Sequence, residues 1–229
     1  MKYRAVLFDY DGVVANTMED NYSAWQFAFS RYGIQLDRLR YFRMEGMTPL
    51  AVAGSILEEN GLDPGLAAEI AREKERYYIA HHISSLHDGI ESLVSALKTR
   101  GRLVGLVSGA SRERLHGSGI AWLLGQFDVV ITSDAVARGK PDPEPYQLAA
   151  QRLEVSPANC LAIENAPLGI ASAKSALMDC IAVCTTLGRE YLGEADMVVD
   201  GIADLVPIMN NIDSLEMVRR KKPAHHELK

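Results

Sequence analysis

The chain has 229 residues, 48% of them hydrophobic and 24% charged, with a formal net charge of −6. This length exceeds what one small core requires and is compatible with two compact units. The acidic balance excludes a general nucleic-acid or anionic-membrane binder, and no apolar run approaches the ~20 residues of a membrane helix.

The N-terminus, Met1-Lys2-Tyr3-Arg4, runs straight into the first predicted strand and leaves no room for a signal peptide. That strand, Val6-Leu7-Phe8, ends abruptly in Asp9-Tyr10-Asp11-Gly12. An apolar run ending in acid–aromatic–acid–glycine reads as a buried parallel strand with two carboxylates at its C-terminal tip, where open α/β sheets place ligands. Strand alternation turns Tyr10 away from that site. Carboxylates this close repel, and a shared proton or a metal ion must offset the repulsion. An Asp-Gly turn is also common as plain punctuation, so the string does not decide alone.

From Asn16 to His87 the pattern changes to helical. Thr17 with Asp20 resembles a short-armed capping box. Tyr22, Trp25, Phe29 and Tyr32 then share one face until Gly33. Thr48-Pro49 is an N-cap followed by proline at the first helical position, with Leu50, Ala53 and Ile56-Leu57 at helical spacing. Asp63-Pro64 opens another helix, carrying Ile70, Tyr77 and Tyr78 to about His82. His81, His82 and His87 cluster in sequence, but adjacent helical histidines point apart, so capping or linker roles suit them better than a metal site.

From Asp88 onward helices and strands alternate, as in a doubly wound sheet. A helix over Gly89 to Thr99 precedes strands ending at Ser108, Thr132, Glu164, Thr185 and Asp200. The fold class is therefore α/β, a doubly wound, Rossmann-like parallel sheet with a helical insertion. The core comprises residues 1–15 and 88–229, and the insertion residues 16–87. Two linkers, near Ala15-Asn16 and Ser84 to His87, make a natural hinge. Cys160, Cys180 and Cys184 are odd in number and lie in apolar runs. Buried free thiols of a cytoplasmic protein explain them better than a disulfide or a thiolate metal site. The basic stretch Arg219 to His226 reads as a solvated terminus.

If the strands are parallel neighbours, Asp9, Asp11, Ser108, Lys140, Glu164 and Asn165 meet at one sheet edge. Three carboxylates, a lysine, a hydroxyl and loop amides suit a divalent cation plus a phosphate. A phosphate ester dianion repels a carboxylate nucleophile by ~4 kcal/mol per unit-charge pair at ~4 Å and an effective dielectric of ~20. A magnesium ion and the Lys140 ammonium would remove that barrier. Asp9 is then the nucleophile. Asp11 protonates the leaving alcohol and afterwards activates water. Ser108 and the Gly109 amide hold phosphoryl oxygens. Ser108 also reads as a helix N-cap, with Ser111 its rival.

Four ordered motifs carry a family resemblance: Asp9-Tyr10-Asp11-Gly12, Ser108-Gly109, Lys140 within Gly139-Lys140-Pro141-Asp142-Pro143, and Glu164-Asn165. The chain resembles the haloacid dehalogenase superfamily, in its branch near beta-phosphoglucomutase and the small sugar- and glycolate-phosphate phosphatases. The likeness spans Arg4 to Ile208. It implies a helical cap domain closing over the site. It also implies the Asp9 and Asp11 roles above, and metal ligation by Asp9, the Asp11 carbonyl, Glu164 and Asn165. Asparagine at 165 departs from the commoner acid. An acid at position 11 points to phosphate rather than carbon–halogen chemistry, and Lys74, the single cap lysine, does not fit the phosphonate-cleaving motif. Specificity is expected from Arg43, Thr48 and Lys74. Lys74 lies where the mutases carry a substrate-contacting lysine, whereas Pro49 and Asn21 stand where they carry arginine and histidine; Arg43 is the nearby substitute. In isolation Arg43 and Lys74 read as solvated helix surface. The expected activity is magnesium-dependent hydrolysis of a small soluble phosphate ester by a monomer or small homo-oligomer that binds neither nucleic acid nor membrane. A hexose-phosphate mutase is the alternative enzyme, and a catalytically silent binding relative the alternative of another class.

Overall fold

The computed structural model describes residues 2–215, so the basic stretch Arg219 to His226 lies outside the described residues. Six strands form one parallel sheet in the order β3-β2-β1-β4-β5-β6. They are β1 (Ala5–Phe8), β2 (Leu103–Val107), β3 (Val129–Ile131), β4 (Cys160–Glu164), β5 (Asp179–Val183) and β6 (Met197–Val199). The strands end where the polar residues of the sequence begin. Side chains alternate across the pleat. Ala5 and Leu7 of β1 join one buried cluster, and Val6 and Phe8 join the other.

Helices cover both faces. In chain order, α1 (Met18–Ser30), α2 (Arg38–Arg43), α3 (Pro49–Glu59) and α4 (Ala67–His81) form the inserted block. Then come α5 (Ile90–Thr99), α6 (Arg112–Gly117), α7 (Glu144–Arg152), α8 (Pro167–Ser175) and α9 (Leu205–Asn210). Apolar residues of α5, α6 and α9 pack on the Val6/Phe8 face, and those of α7 and α8 on the Leu7 face.

The register places the site. Phe8 pairs with Leu106 of β2 and with Ile163 of β4. One residue further, Asp9, Val107 and Glu164 are therefore level at the C-terminal edge. The chain passes from β1 to β2 on one side and returns to β4 on the other, so this edge is a topological switch point.

In the inserted block α1 and α3 both pack on α4. Trp25 stacks on Phe29 at 5.3 Å. Thr48 caps α3, its hydroxyl accepting from the Ala51 amide at 3.3 Å. One local expectation is corrected. Thr17 opens α1 but its side chain caps nothing; it turns inward to Asp11 instead. Leu50 lies on the open side of α3 and is largely exposed.

The block joins the sheet through paired linkers. Asn16 donates its amide to the Ser85 carbonyl at 2.8 Å, and His87 donates to that of Val14 at 3.0 Å. Two close approaches shape the edge, the first within the core and the second between block and core. Gly12 has φ +84°, where a side chain is strained, and a Cβ there would run into Asn165 and Thr186. A Cβ on Gly109 would lie 2.9 Å from the Met47 carbonyl, so the loop after Met44 rests directly on the loop after β2.

Candidate active site

Asp9 follows β1, its amide bonded to the Ile163 carbonyl at 2.9 Å. Its Oδ1 accepts from Lys140 Nζ at 2.5 Å. The same ammonium donates to Glu164 Oε1 at 2.6 Å and to the Val107 carbonyl at 3.1 Å. Lys140 arrives on the loop before α7, which starts at Glu144. Burial lowers the affinity of Lys140 for its proton, but Asp9 and Glu164 raise it by more, so the group is held as an ammonium. Burial lifts the Asp9 carboxyl, Lys140 opposes that, and Glu164 adds to it. Two carboxylates thus share one cation, leaving an excess of negative charge in a buried corner.

Glu164 is the anchor of that lysine. Its Oε1 also accepts from the Tyr146 hydroxyl at 2.6 Å, and its Oε2 accepts from the Asn165 amide at 3.2 Å. Asn165 donates Nδ2 to the Asp11 carbonyl at 3.0 Å and to Thr186 Oγ1 at 2.8 Å. That leaves Asn165 Oδ1, together with Asp9 Oδ2, buried and without a hydrogen-bond partner. Buried oxygens lacking donors are costly unless something occupies them. Among the described residues no set of three or more His, Cys, Asp or Glu side chains is arranged as a metal cluster. The oxygens free of any hydrogen bond here are one of the Asp9 carboxylate and that of the Asn165 amide; the Asp11 carbonyl carries one hydrogen bond, from Asn165 Nδ2, and keeps a second lone pair. The expected ligand Glu164 has both carboxylate oxygens engaged, whereas Asn165 Oδ1 is not.

Ser108 is buried beside this corner, with its Oγ accepting from the Ala110 amide at 3.0 Å. Ser111, not Ser108, caps α6, accepting from the Arg114 amide at 3.1 Å. Tyr10 points away from the site as expected and donates to Ser118 Oγ at 3.2 Å.

Asp11 faces the inserted block. Its Oδ1 accepts from the Thr17 hydroxyl at 2.5 Å and from Asn21 Nδ2 at 2.9 Å. Arg114 of α6 grips both carboxylate oxygens. Burial pushes the Asp11 carboxyl up, but Arg114 and the hydrogen bonds bring it below the ordinary aspartate value. Lys74 is only 2% exposed, which corrects its reading as solvated surface. It donates to Asn21 Oδ1 at 2.7 Å and to Glu75 Oε1 at 3.2 Å. Glu45, also buried, accepts from the Tyr41 hydroxyl at 3.1 Å. Burial, then the Asp11 charge, lifts its carboxyl to about 7.

Asn21, Trp25, Glu45, Lys74, Gly109 and Arg114 line a chamber of about 20 Å³, room for about one water. The block is shut on the sheet. Two further expectations change here. Arg43 is exposed, its guanidinium 5.9 Å from the Tyr191 ring centroid, and does not line the chamber. Thr48 borders an open cleft of about 810 Å³ between the block and the sheet side, which shares Pro49 and Glu75 with the chamber. The histidines do not converge: His82 Nδ1 lies 3.3 Å from Asp20, and His81 Nδ1 lies 2.8 Å from the Tyr77 carbonyl.

The sequence reading passed over Arg114, Glu45 and Glu75. Arg114 sits in the charged run Arg112-Glu113-Arg114, which carries no motif. Lys74 did leave a signal: it stands four residues after Ile70 and four before Tyr78, on the buried face of α4.

A sheet edge that holds a lysine-bridged carboxylate pair beneath a closed helical lid defines a phosphoryl-handling hydrolase of the haloacid dehalogenase type. The model of the haloacid dehalogenase-like hydrolases matches residues 3–176, and the chain belongs to that family of hydrolases. It is 33% identical over 213 residues to validoxylamine A 7'-phosphate phosphatase of Streptomyces hygroscopicus subsp. limoneus, covering 89% of this chain and 96% of that protein. It is 33% identical over 210 residues to beta-phosphoglucomutase of Bacillus subtilis, covering 88% and 91%. The crystal structure of beta-phosphoglucomutase from Clostridium difficile superposes with a TM-score of 0.79 at 28% identity, covering 93% of this chain and 100% of that one.

Proposed function

We propose that the chain is a magnesium-dependent phosphomonoesterase that cleaves a small phosphate ester, of the sugar-phosphate or phosphoglycolate kind, through an aspartyl-phosphate on Asp9. The carrying observation is the state of Asp9: one oxygen is held by Lys140 and the other is buried with no partner. Magnesium, when bound, supplies positive charge that neutralises the phosphoryl oxygens. Asp9 Oδ2, Asn165 Oδ1 and the Asp11 carbonyl would hold it, and their hard oxygen chemistry fits it. Residues 16–87 act as the cap. With about 20 Å³ inside, substrate enters only when the cap lifts on its paired linkers.

Lys140 and Ser108 bind and orient the phosphoryl group. An Asp9 oxygen forms a bond to phosphorus as the bond to the leaving oxygen breaks, and Asp11, protonated from solvent while the cap is open, gives that oxygen its proton. Asp11 then takes a proton from water, whose oxygen displaces Asp9 and releases orthophosphate. The three cysteines are free thiols, which supports a reducing, cytoplasmic setting.

The test is hydrolysis of 4-nitrophenyl phosphate with magnesium, after chelation, and by Asp9→Asn. Chelation is expected to stop turnover and added magnesium to restore it. Asp9→Asn is expected to melt like the wild type and to lose on the order of 10^4-fold in rate or more. Substantial turnover by Asp9→Asn would overturn the covalent mechanism.

A further inference from the structure

Arg114 has no part in the reaction as described, yet it is among the most buried charges of the molecule. It belongs to α6, on the sheet side, where the Ser111 cap fixes the first turn. From there its guanidinium reaches across the boundary between sheet and cap. Nη1 donates to Asp11 Oδ1 at 2.9 Å and Nη2 donates to Oδ2, a two-pronged grip on the carboxylate plane. The other contacts all come from the cap. Nη1 lies 3.2 Å from Asn21 Oδ1 of α1, and Nε 3.8 Å from Glu75 Oε2 of α4. The guanidinium also sits over the Tyr78 ring at 5.2 Å.

We infer that Arg114 is a positioning residue for proton transfer by Asp11, clamping that carboxylate from the sheet side while Asn21, Glu75 and Tyr78 hold the guanidinium in place only when the cap is shut. The inference rests on the phosphomonoesterase reading. Lifting the cap removes three of the four groups that fix the guanidinium, so Asp11 loses its aim when the site is open to water. Closing the cap restores it. Asp11 takes up its proton from solvent while the cap is open; as that proton passes to the leaving oxygen, the phosphorus–oxygen bond breaks and its electron pair stays on that oxygen. The carboxylate left behind gains charge against Arg114, so the contact strengthens on the way to the transition state.

A leaving group that needs a proton feels this clamp, and one that does not is indifferent to it. The experiment measures kcat/KM, which reads the chemistry only up to transfer onto Asp9. The substrates are 4-nitrophenyl phosphate and the best alkyl phosphate from a panel of hexose, glycerol and glycolate phosphates. For Arg114→Met we expect about a 10^2-fold loss on the alkyl phosphate and less than about threefold on the aryl phosphate. Arg114→Lys, one prong instead of two, should recover part of the loss. Glu75→Gln, which weakens only the cap-side hold, should give a smaller loss with the same preference, and stands in for Arg114→Met if that variant does not fold. Equal losses on both substrates would mark Arg114 as a phosphate-binding or purely structural residue and overturn the inference, as would no loss on either. If wild-type protein hydrolyses neither substrate, the phosphomonoesterase reading itself falls. Wild-type activity that Asp9→Asn abolishes keeps that reading whatever Arg114 does.

Discussion

The two halves of the site are built on opposite electrostatic plans. At the sheet edge one ammonium, Lys140, serves two buried carboxylates, and two oxygens have no donor. On the cap side Asp11 and Glu75 face Arg114 and Lys74, one cation to each anion. Glu45 stands beside them as a carboxyl that is half neutral near 7. A buried corner with surplus negative charge and spare oxygens calls for a cation. A buried cluster already in balance can admit a ligand only by exchanging partners. The first half is arranged to take up a cation, and the second to exchange partners when a ligand enters.

The comparison breaks first at Lys140. Lys140→Met leaves Asp9 and Glu164 facing each other without a cation. Breaking a buried pair in this way costs about 3–5 kcal/mol, and losing the charge aimed at the phosphoryl group costs on the order of 10^3-fold in rate. Thermal melting and turnover of an aryl phosphate check both. A variant that melts and turns over like the wild type would show that the surplus charge has no role.

The cap side is tested next through Glu45. Its carboxyl titrates near 7 in the folded chain against 4.5 for an ordinary glutamate. Folding therefore retains a proton that the unfolded chain gives up. Stability from this group is fully present below about 4.5 and is lost as pH rises through about 7. A shift of this size is worth roughly 3 kcal/mol at most, at about 1.4 kcal/mol per pH unit. Glu45→Gln should flatten the fall in melting temperature across that window and raise melting at pH 8. An unchanged pH profile would mean that the cap side is already balanced without Glu45.

A smaller effect sharpens the sheet-edge half. Asn165→Asp adds a charge where an uncharged oxygen lies free, and should tighten magnesium about tenfold. Calorimetric titration reads this independently of turnover. Glu164→Gln should slow the reaction by loosening Lys140 while moving magnesium affinity less than Asn165→Ala does. If Glu164→Gln weakens magnesium the more, Glu164 is the ligand and its contact with Lys140 is secondary.

The sheet edge was the legible half. Its residues stand at strand ends, and apolar runs ending in Asp9, Ser108 and Glu164 give both the strands and their level in the sheet. The cap side was legible only in its helices. Thr17 opens α1 as the capping pattern indicated, but a hydroxyl can bond a backbone amide or a nearby carboxylate, and Asp11 outcompetes the helix end. Arg114 meets Asp11 from 103 positions away, a separation that no local periodicity encodes. The solvated-surface reading of Lys74 rests on its charge, whereas its spacing to Ile70 and Tyr78 carries the better information. Arg43 erred the other way: proximity in sequence to the cap loop did not turn it inward.

Arg43 gives the smallest expected effect and bears on the mutase alternative. A mutase must hold a second phosphate while its intermediate turns over, and with Pro49 and Asn21 in the places of arginine and histidine that task falls to Arg43 with Lys74. Arg43 instead lies exposed over Tyr191, and Lys74 is already bonded to Asn21 and Glu75. Isolated surface side chains of this kind contribute within about 0.5 kcal/mol, so Arg43→Ala should change kcat and KM by less than about twofold. Wild-type protein given an anomeric hexose phosphate should release orthophosphate, followed by phosphorus NMR, and a hexose bisphosphate should not accelerate it. A phosphoryl-shifted isomer formed faster than free phosphate would establish mutase chemistry. If Arg43→Ala also abolished that isomer, Arg43 would have to swing inward on substrate binding, and the cap side would be the half that rearranges most.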